Sequence, residues 1–357
     1  MSTAIPQTMK AIVEDQQANW VTLKDNIPVP APGENEVLVK VEYADQNPGD
    51  WKVASWISLD GALQGCDYAG TIVKLGSNLK SDLRVGDTVA GMITGGMRKD
   101  RGAFAEYLVV ESDLTYRVPK ELELDGAPTF GAAWLTASQV LLKSQGHFLS
   151  SPTDGLNWYI VYGGSSSVGL FALQIARTLG YKVLTFASPH SFDLVKSYGA
   201  HEVINYRDSD AIEQALKITN REAVYAFDTI SEGDSFNIAL AALGSKGKQL
   251  NVINPPPEGF KDKMGNVELQ HTVVYTLLGK DLNFSPRTPE SPMIIPAVQD
   301  HYEFGKEVLK QTPEWITKYG FKANPIELRH GLEAIPQGLQ DQKDGKISGK
   351  KVVYKIA

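Results

Sequence analysis

The spacing of apolar positions changes character once along this chain, near residue 127, and the change separates two kinds of architecture. Up to about residue 126, short β-prone runs (KAIVE, EVLVKVEYA, AGTIVKLG, TVAGMI, AFAEYLVV) are separated by Gly, Pro and Asn signals such as PVPAPGEN and VGD. That rhythm predicts a compact β-rich domain, a rolled sheet or barrel and not parallel βαβ units. From residue 127, helix and strand patterns alternate. They read as helix (127–144), strand (158–162), helix (167–179), strand (182–188), helix (191–198), strand (201–206), helix (210–219), strand (223–229), helix (234–243), strand (248–254) and a last strand near 272–278. Such alternation predicts an α/β fold with a doubly wound parallel sheet. Ligands of these sheets bind beyond the carboxyl ends of the strands, so the tips near Asp228, Asn254 and Tyr275 are expected to line a crevice. A Pro-rich break (285–296) precedes an amphipathic helix over 301–319, and the β-prone tail KKVVYKIA is expected to return to the first domain's sheet. The predicted domains are 1–126 with 298–357, and 127–297.

Within the second region, one stretch carries the chemistry. The apolar strand WYIVY runs into the loop GGSSSVG, and then Val168, Phe171, Ala172, Ile175, Ala176 and Leu179 step three and four apart, ahead of Gly180. The helix therefore begins at the loop, and its unpaired N–H groups and dipole favour a phosphate anion there. Laid on G-x-G-x-x-G, the loop reads Gly164-Ser165-Ser166-Ser167-Val168-Gly169, with serine at the middle glycine. A Cβ at Ser166 holds a pyrophosphate slightly further off, while its hydroxyl can donate a hydrogen bond in return. The alternative is a plain small-residue turn.

At the end of the second strand, sites selective for NAD carry an Asp or Glu for the ribose hydroxyls. Here the chain reads Ala187-Ser188-Pro189-His190-Ser191. No carboxylate repels a 2′-phosphate, and Ser188, His190 and Ser191 supply donors, which favours NADPH. His190 is otherwise an ordinary turn histidine. Tyr206 and Arg207 follow the third strand and reach the same phosphate or the adenine, or else Arg207 is a solvated surface charge.

The 357 residues suffice for two domains with sizeable cores, and the 42% apolar and 22% charged content is ordinary for a globular chain. A net charge of -7 with no basic block argues against nucleic acid or an anionic membrane as partner. No apolar run reaches the length of a membrane span, so a cytoplasmic protein is expected. The one cysteine, Cys66, excludes an intrachain disulfide and four-cysteine zinc, and the six histidines show no close-spaced ligand pair. The expectation is no metal.

These residues and their neighbours resemble the medium-chain dehydrogenase/reductase superfamily, in its zinc-free quinone-reductase-like branch. The resemblance covers nearly the whole chain: N-P-x-D-W-K (47–52), G-C-D-Y-A-G (65–70), V-G-D (85–87), G-A-F-A-E-Y (102–107), the glycine and serine loop, and G-K-I-S-G-K (345–350). It implies a GroES-like β-barrel domain, a Rossmann domain, and an active site in the cleft between them. Where zinc-dependent relatives carry Gly-His-Glu, this chain has Gly65-Cys66-Asp67, and their first cysteine ligand falls at Gln46-Asn47. A narrower resemblance, through GCDYAG, GAAWLTAS, VYGGS and SPHSFDLVKSYGA with NYRD, is to fungal stand-alone enoyl reductases that serve polyketide synthases. Carried over by position, it implies NADPH contacts at Lys52, Thr136, Gly164, Ser165, Ser166, Ser167, Val168, Ser188, His190, Ser191, Tyr206, Ile253, Asn254, Val274, Tyr275, Thr276 and Ser348. Relatives are monomers, or homodimers that pair the strand near 273–278.

Without a metal, an acceptor must be polarised by hydrogen bonds and ammonium charge. Lys52 is the first candidate, able to stabilise an enolate or hold the cofactor ribose; the alternative is an exposed helix lysine. Tyr68 offers a phenol, or is a core tyrosine with a satisfied hydroxyl. Thr136 is expected to orient the nicotinamide or its ribose. Asp50 and Asp67 either pin loops or pair with Lys52, and Cys66 reads as a small buried residue. The leading function is an NADPH-dependent reductase of activated C=C bonds, acting on a free enone or enal or on a thioester held by a carrier protein. The rivals are a quinone or aldehyde reductase and a non-catalytic NADPH-binding protein.

Overall fold

In the computed structural model, which describes residues 5–56, 59–155, 157–284 and 293–357, the chain forms two compact units. One is Met1–Ala132 with Tyr275–Ala357, and the other is Ala133–Val274. The second crossing therefore lies earlier than the position after 297 suggested by the sequence pattern.

The first unit opens with an antiparallel pair, β1 (Thr8–Asp15) and β2 (Trp20–Pro28), followed by β3 (Glu36–Asp45), the short helix α1 (Pro48–Trp56), β4 (Asp67–Leu75), β5 (Thr88–Met92), β6 (Tyr107–Glu111) and β7 (Thr115–Arg117). Valine-rich alternation buries Val37, Val39 and Val41 along β3. Strand β3 is the hub of the sheet. It pairs with β4 along one side, and on the other its first residues, 36–40, pair with β6.

The second unit starts with α2 (Ala132–Ser138), which runs into a π-helical turn at Gln139–Ser144. The predicted helix over 127–144 is thus a 3₁₀ turn (Ala127–Phe130), an α segment and a π turn in succession. Then β8 (Trp158–Tyr162), α3 (Ser167–Thr178), β9 (Lys182–Ala187), α4 (Phe192–Ser197), β10 (Glu202–Asn205), α5 (Ala211–Ile218), β11 (Ala223–Asp228), α6 (Ser235–Leu243), β12 (Gln249–Val252) and β13 (Glu268–His271) follow in alternation. All six strands are parallel, in the order β10-β9-β8-β11-β12-β13. Ile160, Leu184, Phe186, Phe236 and Leu250 build an apolar core in this unit, each such side chain contributing about 1.5–3 kcal/mol by burial.

The strand expected at 272–278 is a correction. The edge of the sheet is Glu268–His271, and Val274–Leu278 is a 3₁₀ turn. A short apolar run reads the same whether it becomes a strand or a buried helical turn, and here Thr276, Leu277 and Leu278 are buried ahead of Gly279 at φ 65. The strand on which a pairing homodimer would rest is therefore not formed in that segment.

The chain then returns to the first unit. Strands β14 (Leu282–Phe284) and β15 (Met293–Ile295) pair with each other, and most of the Pro-rich break between them lies outside the described residues. Helix α7 (Gln299–Tyr319), strand β16 (Ile326–His330), helix α8 (Ile335–Lys343) and strand β17 (Lys351–Lys355) complete the unit. As the tail's composition suggested, β17 joins the first sheet, antiparallel to β3 at Tyr43–Asp45 and parallel to β16.

Candidate functional site

In the second unit, parallel pairing places the carboxyl ends of β8 to β12 along one edge of the sheet, with the glycine and serine loop at its centre. Close approach depends on the missing side chains. A Cβ on Gly164 would overlap Thr185 Oγ1 and lie 3.0 Å from Thr185 Cβ, and one on Gly169 would overlap Gly163 O and lie 2.8 Å from Gly164 Cα. Gly163 itself sits at φ 78, where a side chain is strained. Helix α3 begins at this point, with Ser166 as its N-cap accepting from Gly169 N–H at 2.9 Å. The Ser166 hydroxyl also lies 2.8 Å from Thr229 Oγ1, which bonds to the carbonyls of Tyr162 and Gly163 at 2.8 and 2.9 Å. The hydroxyl expected to meet phosphate is engaged in capping, and the anion-binding capacity rests on backbone N–H groups and the helix terminus.

At the tips of β9 and β10, Arg207 Nη1 donates to Ser188 Oγ at 3.1 Å, and its guanidinium lies 4.5 Å from the centre of the Tyr206 ring. Ser188 Oγ and Tyr206 Oη are 3.4 Å apart. Two hydroxyls and a guanidinium thus gather where NAD-selective sites carry a carboxylate. Ser191 is buried and its N–H donates to Ser188 O, whereas His190 is exposed. At the other side of the loop, Ile253 N–H donates to Ser231 Oγ and Asn254 Nδ2 donates to the carbonyls of Ile230 and Ser231. Asp228 holds this turn by accepting from Ile230 N, Ser231 N and Ser235 Oγ. Burial nevertheless raises its pKa, with Ser235 and the backbone N–H groups opposing. Thr136 is buried on α2 in the same unit.

In the first unit, Lys52 lies on α1 with its ammonium 5.8 and 5.9 Å from the centres of the Trp51 and Trp56 rings. Tyr275 and Thr276 are in the 3₁₀ turn 274–278, and Thr276 Oγ1 is 2.8 Å from His301 Nδ1. Ser348 is exposed in the turn before β17. Tyr68 requires a correction. Its side chain is fully buried and its hydroxyl donates to Thr115 Oγ1, which donates onward to Ala90 O. Burial pushes its pKa well up, and a phenol enclosed in the sheet's core has no path to a substrate.

Around the Gly65-Cys66-Asp67 segment the structure gathers a buried ionic cluster. Lys351 Nζ lies 2.9 Å from Asp45 Oδ1, 3.2 Å from Asp67 Oδ2 and 2.9 Å from Asn47 Oδ1. Asp67 also accepts from Asn47 Nδ2 and Ala132 N–H, both at 2.8 Å. The partner of Asp67 is therefore Lys351 and not Lys52. Burial drives the Asp45 pKa up, Lys351 offsets part of that and Asp67 adds to it. Burial works against the Lys351 ammonium, but Asp45 and Asp67 outweigh it and hold its pKa above the ordinary value. Asp50 caps α1, its Oδ2 accepting from Asn47 N–H at 2.7 Å. Burial pushes its pKa up to about 7. Cys66 is buried with its sulfur 3.3 Å from Tyr275 Oη.

Sequence reasoning missed Lys351, Thr229 and Asp45. Thr229 carried the readable signal, because it follows directly on a parallel strand and so must sit beside the neighbouring strand's loop. Lys351 carried none, being 284 residues from Asp67.

Residues 33–120 match the family model described as alcohol dehydrogenase GroES-like domain, and residues 167–279 match zinc-binding dehydrogenase. The trans-enoyl reductase ACTTS2 of Alternaria alternata is 34% identical over 356 residues, covering 98% of this chain and 99% of its own. Among solved structures, the CurK enoyl reductase is similar with a TM-score of 0.77 at 19% identity, over 99% of this chain and 100% of its own. A mycobacterial protein solved in complex with NADPH gives 0.75 at 21% identity, over 98% and 100%. At these identities the structural likeness shows a shared fold.

The description as a zinc-binding dehydrogenase sets a test for the donor set. Among the described residues no group of three or more His, Cys, Asp or Glu side chains could hold a metal ion. Asp67, next to Cys66, already shares the Lys351 ammonium with Asp45, and a dication beside that buried cation would be repelled. These residues do not fit a catalytic zinc. No helix of the described residues is long and apolar enough to cross a membrane.

Proposed function

Because the chain belongs to the alcohol-dehydrogenase-like family that holds the fungal trans-enoyl reductases, we propose that it is an NADPH-dependent reductase of activated C=C bonds. The observation that carries the cofactor half of this reading is the glycine loop at the start of α3, joined to the Ser188, Tyr206 and Arg207 corner. The loop suits a pyrophosphate, since its small residues lie at a helix N-terminus with backbone N–H groups. The corner suits a 2′-phosphate, since it offers hydroxyl donors and a guanidinium and no carboxylate. NADPH, when bound, supplies a hydride to the β carbon of an α,β-unsaturated carbonyl.

The chain's own residues then bind, orient and stabilise. Lys52 is the candidate cation for the charge that develops on the carbonyl oxygen. The Trp51 and Trp56 rings, 5.8 and 5.9 Å from its ammonium, give it a weak cation–π hold on α1. Thr136 is assigned to hold the nicotinamide end. The substrate class is an enoyl group, as a free enone or as a thioester, and the partner class is a carrier protein of a polyketide synthase.

The test is steady-state NADPH oxidation against an enal, a crotonyl thioester, a quinone and a saturated aldehyde, with products identified by mass and NADH run in parallel. Saturation of the C=C bond with NADPH preferred is the expected result. Turnover of only the quinone or the aldehyde would overturn the substrate class, and tight NADPH binding with no turnover at all would overturn the enzyme.

A further inference from the structure

Three groups that this account leaves unused meet in the first unit, and they come from three separate segments. Asp50 projects from the first turn of α1, Cys66 from the residue before β4, and Tyr275 from the 3₁₀ turn 274–278. Tyr275 Oη lies 3.3 Å from Cys66 Sγ. A Cβ on Gly49 would stand 3.0 Å from the same oxygen, so the phenol tip is held against the start of α1. Asp50 and Cys66 are each 1% exposed, whereas Tyr275 is only partly buried. Of the three, only Tyr275 keeps exposed surface.

The carboxyl is incompletely satisfied. Asp50 Oδ1 is buried and has no well-aligned hydrogen-bond partner among the described residues, and the nearby Cys66 thiol offsets only part of the cost of burying the charge. An apolar residue in its place would avoid that cost. The phenol is loosely held, because a thiol is a weak donor and a weak acceptor, and whichever atom donates, the contact leaves the phenol able to engage a stronger partner.

We propose that Tyr275 donates the proton that completes reduction of the C=C bond, with Cys66 and Asp50 as positioning groups that return a proton to it. The proposal rests on the enoyl-reductase reading. Once the β carbon has gained a hydride, the negative charge is an enolate. As its carbonyl re-forms, the electron pair of the enolate C=C makes the new α C–H bond with the Tyr275 proton, and the O–H pair stays on the phenolate oxygen. The Cys66 S–H proton passes to that oxygen, and the Asp50 carboxylic acid proton passes to sulfur. One solvent proton restores the chain of three groups before the next turnover, so the net uptake is one proton. Burial favours the neutral form at all three positions, and a carboxyl near pH 7 still carries its proton part of the time at neutrality.

The experiment uses the whole chain and the variants Tyr275→Phe, Cys66→Ser, Cys66→Ala and Asp50→Asn, with crotonyl thioester as substrate. Readouts are kcat, KM, the solvent deuterium isotope effect, NADPH Kd by fluorescence and thermal midpoint. A wild-type chain that saturates no enoyl substrate removes the underlying reading and this proposal with it. With wild-type turnover in hand, Tyr275→Phe should lower kcat by about a hundredfold or more. KM and NADPH Kd should stay within about threefold, the split expected for loss of a group that acts only in the transition state. Cys66→Ser, which keeps an exchangeable proton, should retain more activity than Cys66→Ala, and the solvent isotope effect should change in Asp50→Asn. A Tyr275→Phe kcat within about threefold of wild type, or an equal loss of kcat and NADPH affinity, overturns the proposal. Should Tyr275→Phe fail to fold, the cysteine pair decides, and equal kcat in Cys66→Ser and Cys66→Ala overturns it.

Discussion

The two units bury polar groups in opposite ways. The first closes on ions: Lys351 with Asp45 and Asp67, and Asp50 beside them, all almost fully enclosed. The second closes on neutral groups, with Asp228 its one buried charged residue among those described. Gln145 Nε2 donates to Tyr159 Oη and Asn251 Oδ1, while Gln249 and Asn251 both donate to Ser144 Oγ. Neutral networks keep their strength across pH, whereas buried ions tie stability to protonation and to the presence of each partner. The second unit, Asp228 apart, keeps to neutral buried groups and offers backbone N–H groups at the start of α3. The first carries its own charges around Gly65-Cys66-Asp67.

The contrast can be broken most sharply at Lys351. Lys351→Met leaves Asp45 and Asp67 facing each other without a cation and should cost about 3–5 kcal/mol at neutral pH, read by urea denaturation. Replacing Asp45 and Asp67 by apolar residues in the same variant should recover much of that loss. A loss below about 1 kcal/mol for Lys351→Met alone would show that the cluster is not a buried ion network in solution.

The next effect is a pH dependence confined to the first unit. The Asp50 pKa rises on folding from 3.8 to about 7. Between those values the folded chain holds a proton that the unfolded chain has released. Asp50's contribution is therefore fully present below about pH 4, lost as pH rises toward 7, and constant above it, with a slope of at most about 1.4 kcal/mol per pH unit. Asp50→Asn should flatten that slope in urea midpoints taken from pH 4 to 8. An unchanged slope would assign the dependence to other groups.

The smallest effect belongs to the second unit. Gly169→Ala drives a methyl group into Gly163 O and should cost about 1–3 kcal/mol. Hydrogen exchange should quicken across 133–274 and leave β3, β4 and β17 unchanged, and NADPH binding should weaken. Equal quickening in both units would mean that they unfold as one.

Much of this was legible in the sequence because it is local. The change from period-two runs to alternating helix and strand patterns gave the two architectures, and the glycines at 163, 164 and 169 marked where a side chain would collide, with Ile230 and Thr229, with Thr185, and with the Gly163–Gly164 backbone. What was illegible depends on distant residues. Tyr68 and Tyr275 are both plausible phenols by residue type, and only the register of β4 against β5, with Thr115 nearby, turns Tyr68 into the core. The stretch 272–278 has strand-like letters, yet its fate depends on whether β12 has a partner already, and Glu268–His271 had taken that place.

The position of Lys351 has a consequence for biosynthesis. Asp67 leaves the ribosome 284 residues ahead of its cation, so the first sheet cannot neutralise its core while the chain is being made. The unit spanning 133–274 has every strand of its sheet in one continuous stretch and can consolidate earlier. Translation thus delivers a finished second unit while the first still waits for β17, and a ribosome stalled before residue 351 would expose the unfinished sheet to chaperones.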